Sequence, residues 1–91
     1  MEVVQALADQ RITSVPSTVK FDCELSRAVP VTWCRNGRPL TADAHCLIAA
    51  DGAHHTLTIV KAVENDEGEY SITAKNVTAT ATLLIEGTSI L

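Results

Sequence analysis

The sequence predicts an all-β fold, a sandwich of two antiparallel sheets. Apolar and polar residues alternate with a period of two along several short segments, which is the pattern of strands with one buried face. Turn signals recur roughly every ten residues, and only Lys61 to Glu69 allows a single helical turn. The 91 residues suffice for one domain. We expect residues 1–91 to form that domain, with a core over 3–86 and the start of a linker at 87–91.

The first half of the chain contains two predicted strands. Apolar residues alternate with polar ones from Val19 to Leu25, which predicts a half-buried strand. Val31 and Trp33 flank Thr32 in a second strand, which ends at Asn36-Gly37. This pair is typical of a tight hairpin turn because both residues tolerate positive φ.

Four further strands are predicted in the second half. The first precedes the turn Asp51-Gly52, and its buried face holds either Leu47 and Ala49 or, in the other register, Cys46 and Ile48. The other three strands alternate regularly. Their apolar positions are Leu57 and Ile59, then Tyr70, Ile72 and Ala74, then Ala81, Leu83 and Ile85.

Three features in chain order specify the kind of sandwich. Cys23 lies in one strand and Trp33 in the next. In one kind of sandwich, a core Trp of the third strand packs over a Cys of the second strand. The strand Leu57 to Ile59 leads into Asp66 to Tyr70, which matches a tyrosine corner. We therefore predict an immunoglobulin-like sandwich. Its core contains Cys23, Trp33, Leu57, Tyr70 and Ile72, and its corner is formed by Asp66, Gly68 and Tyr70.

One position departs from that pattern. The second cysteine of the usual inter-sheet bridge would fall two residues after Tyr70, where this chain has Ile72. We therefore expect no inter-sheet disulfide and a Cys23 that acts as a small buried hydrophobe. Cys34 should point away from the core and Cys46 should lie on the other sheet, so all three thiols are expected to be free. Free thiols are typical of a reducing compartment.

Charge and hydropathy exclude several classes of partner. The formal net charge is -4 and the isoelectric point about 5.1, and such a domain repels phosphate backbones and anionic membranes. No apolar run approaches the roughly 18 residues of a membrane span. Residues 1–9 lack the basic start of a signal peptide, and the sequence reads as a piece of a longer chain. We predict binding neither to nucleic acid nor to membrane.

Metal and catalytic chemistry have little support in the sequence. Three histidines and Cys46 lie between residues 45 and 55, but without Cys-x-x-Cys or His-x-x-x-His spacing. His54 and His55 are adjacent and project to opposite faces if extended. The acidic run Glu64 to Glu69 lacks the ligand spacing of a calcium loop. No Ser, Cys or His lies in a nucleophile motif. We predict no catalytic residues, no metal and no cofactor.

The chain resembles the intermediate-set immunoglobulin domains of giant muscle cytoskeletal proteins, the group that includes obscurin, obscurin-like protein, titin and myosin-binding protein C. The resemblance extends over Val3 to Glu86 and is carried by Val19 to Ser26, Val31 to Leu40, His55 to Ile59 and the corner through Tyr70. It implies one domain of a tandem array in the cytoplasm, on the cytoskeleton or myofibril. Such domains bind other sarcomeric proteins and act as links under tension.

We therefore expect a protein-binding and spacer module whose partners are other cytoskeletal proteins, titin-like ones among them. An exposed sheet edge offers unpaired N–H and C=O groups to a partner strand. Candidate edges are Val3 to Leu7 and the last strand, Ala79 to Ile85, and Val77 and Leu84 are expected to face outward. The possible partner contacts are Val3, Val4, Leu7 and Leu84.

An extracellular adhesion or receptor domain is the alternative. It rests on fold analogy and on Asn76-Val77-Thr78, a glycosylation sequon in a predicted turn. The missing second cysteine argues against it, because such ectodomains usually retain the bridge. Whether Asn76 carries a glycan stays open at this point.

Overall fold

A computed structural model describes residues 2–13 and 16–86. The predicted linker at 87–91 lies outside these residues. Within them the chain forms nine strands, and Glu64–Asp66 forms the single helical turn that the sequence allows, as a 3₁₀ turn. The strands are β1 (Val3–Gln5), β2 (Gln10–Ile12), β3 (Ser17–Leu25), β4 (Thr32–Arg35), β5 (Arg38–Pro39), β6 (Cys46–Asp51), β7 (His54–Ala62), β8 (Gly68–Ala74) and β9 (Val77–Ile85).

The strands form the two packed sheets of an immunoglobulin-like sandwich, as predicted. The first sheet has the order β1-β3-β7-β6 and the second the order β2-β9-β8-β4-β5. Neighbouring strands are antiparallel except β2 and β9, which are parallel. This pair arises because the chain leaves the first sheet after β1 and joins the second sheet as β2.

The core lies between the sheets, on the inward phase of each long strand. Phe21 pairs with Leu57 in the first sheet and Trp33 with Ile72 in the second. The Phe21 and Tyr70 rings stack with centroids 5.1 Å apart, which joins the two sheets. Each of the five residues expected in the core is at most 2% exposed: Cys23, Trp33, Leu57, Tyr70 and Ile72.

Both predicted hairpin turns are confirmed. Asn36 and Gly37 have φ of 51° and 84°, the positive values that a two-residue turn between β4 and β5 requires. Gly52, with φ of 65°, follows Asp51 in the turn between β6 and β7. The structure also selects between the two registers of β6. Cys46 and Ile48 pack against the core, whereas Leu47 is 50% exposed.

Candidate protein-binding edges

The tyrosine corner fixes one end of the sandwich. The Tyr70 hydroxyl donates a 2.6 Å hydrogen bond to the Asp66 backbone carbonyl. Burial raises the pKa of Tyr70 to about 12, so the hydroxyl keeps the proton that it donates. The buried Asp66 carboxylate accepts the Val63 N–H at 2.9 Å and lies 3.0 Å from His45 Nε2 and 3.8 Å from the Arg35 guanidinium. The corner thereby holds the loop before β8 against both sheets.

Gly68 occupies a place in the corner that a side chain does not fit. Its φ is 156°, and a Cβ there would lie 2.8 Å from the Asn36 side-chain amide. That amide oxygen accepts the Glu69 N–H at 2.9 Å, so it is not free to move away without losing a hydrogen bond. Close approach of the β4–β5 turn therefore explains the glycine.

The β1 edge presents fewer partner contacts than the sequence suggests. Val4 is 62% exposed, and Val3 is half-buried against the core. Leu7 is buried, 8% exposed, because the chain crosses between the sheets after β1 and inserts this side chain. Leu7 is therefore not available to a partner, and Val4 is the apolar side chain that this edge offers.

The expectation that the last strand forms an edge is wrong for its second half. Gln10 to Ile12 pair with Leu83 to Ile85, and the Ile12 carbonyl accepts the Glu86 N–H at 2.9 Å. Asp9 Oδ1 accepts the Thr82 N–H at 2.9 Å, ahead of this pairing. Among residues 2–13 and 16–86, β2 pairs only with the second half of β9. The first part of β9 has no neighbouring strand on this side in these residues.

The two apolar side chains expected to face outward from β9 differ. Leu84 is 43% exposed, as expected. The expectation for Val77 is wrong, because it packs against the core. Val77 shares the inward phase of Ala79 and Ala81, since side chains alternate with a period of two along the strand.

The edge formed by β6, at the far side of the first sheet from β1, was not predicted from the sequence. Its six residues run Cys-Leu-Ile-Ala-Ala-Asp, with one charge at the end. The other edge strands have three, three and two residues. The apolar run before the Asp51-Gly52 turn was the available signal. It predicted a strand, but not that, among the described residues, this strand has a neighbour on one side only.

Two shallow clefts, with volumes of about 560 and 240 Å³, lie on the surface of the part of the chain that the structure describes. Neither lining combines a nucleophile with a base that could activate it. The larger cleft is lined by Arg35, Asn36, Arg38, Pro39 and Leu40, and the smaller one by Asp9, Gln10, Arg11, Thr82 and Leu84.

The histidines considered for zinc do not converge. His45 lies against Asp66, His54 Nε2 lies 3.1 Å from Asp22 Oδ1, and His55 is buried in the core. Among the residues that the structure describes, no group of three or more His, Cys, Asp or Glu side chains could hold a metal ion. The same part of the chain has no helix of the length and apolarity needed to cross a membrane.

The three thiols should differ in reactivity. Cys23, Cys34 and Cys46 are all free, and burial raises the pKa of Cys23 and of Cys46, with the Asp43 charge adding to the effect on Cys46. A thiol reagent should therefore modify half-exposed Cys34 first in the native protein. The unfolded, non-reduced protein should titrate three thiols. A Cys34→Ser variant should lose the fast phase of thiol modification in the native protein. In the unfolded parent, a count of one thiol would reveal an intramolecular bridge.

His55 should make stability depend on pH. It is 3% exposed opposite Cys23, and its Nε2 has no hydrogen-bond partner among the described residues. Burial lowers its pKa below 6.5, so below that pH the unfolded chain binds the proton more readily. Above pH 6.5, His55 should therefore not affect the free energy of unfolding. As the pH decreases below 6.5, His55 should lower the free energy of unfolding by at most about 1.4 kcal/mol per pH unit.

Urea unfolding at several pH values would check this dependence. A His55→Leu variant has no titrating group at this position, so its stability should fall less between neutral and mildly acidic pH. Equal pH dependence in the two proteins would assign the acid sensitivity to other groups.

The immunoglobulin I-set domain model matches residues 1–86 of the chain. Among similar proteins, titin of Drosophila melanogaster is 36% identical over 86 residues, which cover 93% of this chain and a share of titin that rounds to 0%. Slow-type myosin-binding protein C of Rattus norvegicus is 32% identical over 78 residues, covering 86% of this chain and 12% of that protein. Human hemicentin-1 is 39% identical over 66 residues, covering 69% of this chain and 1% of that protein. The chain thus spans a small part of each relative.

Solved structures show the same architecture. A structure described as the IG27 protein domain superposes with a TM-score of 0.89 at 31% identity, covering 96% of this chain and 98% of that one. Domain I10 of titin superposes with a TM-score of 0.86 at 26% identity, covering 92% and 96%.

Proposed function

The chain belongs to the immunoglobulin I-set family, and from this membership we propose that it is a protein-binding and spacer module of a large modular protein of the muscle cytoskeleton. The observation that carries the proposal is the similarity to titin, which extends over 93% of the chain. A second relative is named for binding myosin, which supports protein partners for domains of this kind. A packed sandwich with open strand edges suits such a role and needs no cofactor.

The path of the chain through the sandwich supports the spacer role. Val3 pairs with Leu25, at the end of β3, so the chain enters at the end of the sandwich that holds the β6–β7 turn. β9 ends at Ile85, whose N–H donates to Glu67 beside the tyrosine corner, at the opposite end. A chain that enters at one end and leaves at the other can be joined in line with further domains.

The free cysteines support a reducing, cytoplasmic location. Ile72 stands where the bridge partner of Cys23 would be, so the core is closed by an aliphatic side chain. The extracellular alternative rests on Asn76, which is exposed in the β8–β9 turn and geometrically open to a glycan. We favour the intracellular location because ectodomains of this fold usually keep the bridge.

Calorimetric titration against domains of muscle cytoskeletal proteins, titin and myosin-binding protein C first, tests the binding role. We expect at least one partner with a dissociation constant in the micromolar range, typical of small interfaces. Val4→Asp at the β1 edge and Ser71→Asp at the centre of the second sheet's outer face separate two modes of binding. Loss of binding with Val4→Asp alone would indicate the edge; loss with Ser71→Asp alone would indicate the face. If no partner binds, the chain is a spacer only.

A further inference from the structure

The β6 edge has few of the features that usually keep a sheet edge from pairing. Asp43 covers the Cys46 backbone at its start, and the rest of this edge has no partner strand among the described residues. It pairs with β7 over all six residues without a register shift, so no bulge twists it away. It contains neither proline nor lysine, and Asp51 carries its one charge. In contrast, β1 has a register irregularity and β5 is Arg38–Pro39. A regular apolar edge of this length is a template for another strand.

The open backbone groups of β6 can be assigned from the hydrogen bonds at its start. The His45 carbonyl accepts the Val60 N–H on the β7 side. The backbone N–H and C=O of Cys46 point away from β7, and Asp43 binds both of them. The Asp43 N–H donates to the Cys46 carbonyl, and Asp43 Oδ1 accepts the Cys46 N–H, each at 2.8 Å. Because backbone groups alternate along a strand, Ile48 and Ala50 also point away from β7. Their two N–H and two C=O groups have no partner strand among the described residues.

We propose that β6 pairs with β6 of a second copy of this chain, antiparallel, about a two-fold axis at Ala49. In this register Ile48 lies opposite Ala50 of the second copy, and Ala50 opposite Ile48. The two donors and two acceptors of each copy then form four hydrogen bonds and leave no open group on either strand. The two first sheets become one continuous sheet across the dimer.

The structure favours a second copy because one register matches every open group. Placing Ile48 opposite itself would pair Ala50 with Cys46, whose backbone groups Asp43 already occupies. Side chains at the axis also fit. Ala49 lies opposite Ala49 of the second copy, and both side chains are on the outer face of the sheet. This is a non-hydrogen-bonded pair, in which Cα atoms approach to about 4.5 Å and small side chains are needed. Leu47, half-exposed in the monomer, gains a neighbour in Asp51 of the second copy.

Analytical ultracentrifugation of the purified chain over a wide concentration range tests the proposal. We expect a reversible monomer–dimer equilibrium. Ala49→Lys and Ala49→Glu should each raise the dimer dissociation constant at least about fivefold, because like charges would face each other across the axis. An equimolar mixture of the two variants should form a heterodimer more tightly than either variant pairs with itself. Thr80→Lys, on the second sheet, is the matched control and should dimerise like the parent.

A second variant tests the hydrogen bonds themselves. Ala50→Pro removes the open N–H of each copy, and with it two of the four intermolecular hydrogen bonds, so dimerisation should weaken by about tenfold or more. Circular dichroism would verify that each variant is folded. A parent chain that stays monomeric up to millimolar concentration would overturn the proposal, as would folded Ala49 variants that dimerise like the parent. Calorimetry at low chain concentration tests partner binding separately, so failure of either idea is recognisable on its own.

Discussion

Replacing Trp33 with alanine should remove roughly half of the stability of the domain. The indole is 2% exposed and packs between the sheets at the position that pairs with Ile72. Removing it creates a large cavity, and Trp→Ala changes in cores cost about 3–5 kcal/mol. A domain of this size has a total stability of only about 5–10 kcal/mol. No disulfide joins the sheets to offset the loss.

Urea unfolding followed by far-ultraviolet circular dichroism would measure this effect, since the variant lacks the one tryptophan that fluorescence would report. Thr32→Ala is the matched control. Thr32 is the exposed neighbour on the same strand, and surface changes of this kind usually alter stability by no more than about 0.5 kcal/mol. A Trp33→Ala midpoint close to that of Thr32→Ala would show that the indole contributes little to the core.

The six strands predicted from alternation, and their buried faces, follow from the sequence because both depend on local pattern. The short strands β2 and β5 carry no such pattern and were not predicted. Alternation with a period of two assigns each side chain to a face, and the pair Asn36-Gly37 fixes a turn through the φ values that those residues tolerate. Even the open choice at β6 concerned only which of two phases faces inward. The core contact of Cys46 and Ile48 selects one of them.

The edges were harder to predict because an edge is a relation between distant segments. Alternation specifies the face of a residue and carries no information about the strand beside it. Residues 79–85 therefore looked like an open last strand, although β2, more than 70 positions earlier in the chain, pairs with its end. Leu7 looked like a strand residue of β1, yet it fills the crossover between the sheets. The β6 edge was overlooked for the same reason, since only the sheet order of the described residues shows that β7 alone lies beside it.

Removing the Tyr70 hydroxyl should lower stability by about 1–3 kcal/mol without changing the fold. The hydroxyl donates to the Asp66 carbonyl at 2.6 Å, and the Tyr70 side chain is 1% exposed. Tyr70→Phe leaves that carbonyl without its donor in a buried site, which costs the desolvation of the group as well as the bond. The ring itself stays in place, and with it the stacking on Phe21.

Denaturant unfolding of the parent, Tyr70→Phe and Tyr70→Leu would separate the hydroxyl from the ring. Tyr70→Phe loses the hydrogen bond alone, whereas Tyr70→Leu also loses the stacking on Phe21 at 5.1 Å and should be less stable still. The slope of free energy against denaturant should stay unchanged in Tyr70→Phe, because the surface exposed on unfolding is the same. A Tyr70→Phe midpoint equal to that of the parent would show that the corner is held by packing and by the Asp66 carboxylate, without help from the hydroxyl.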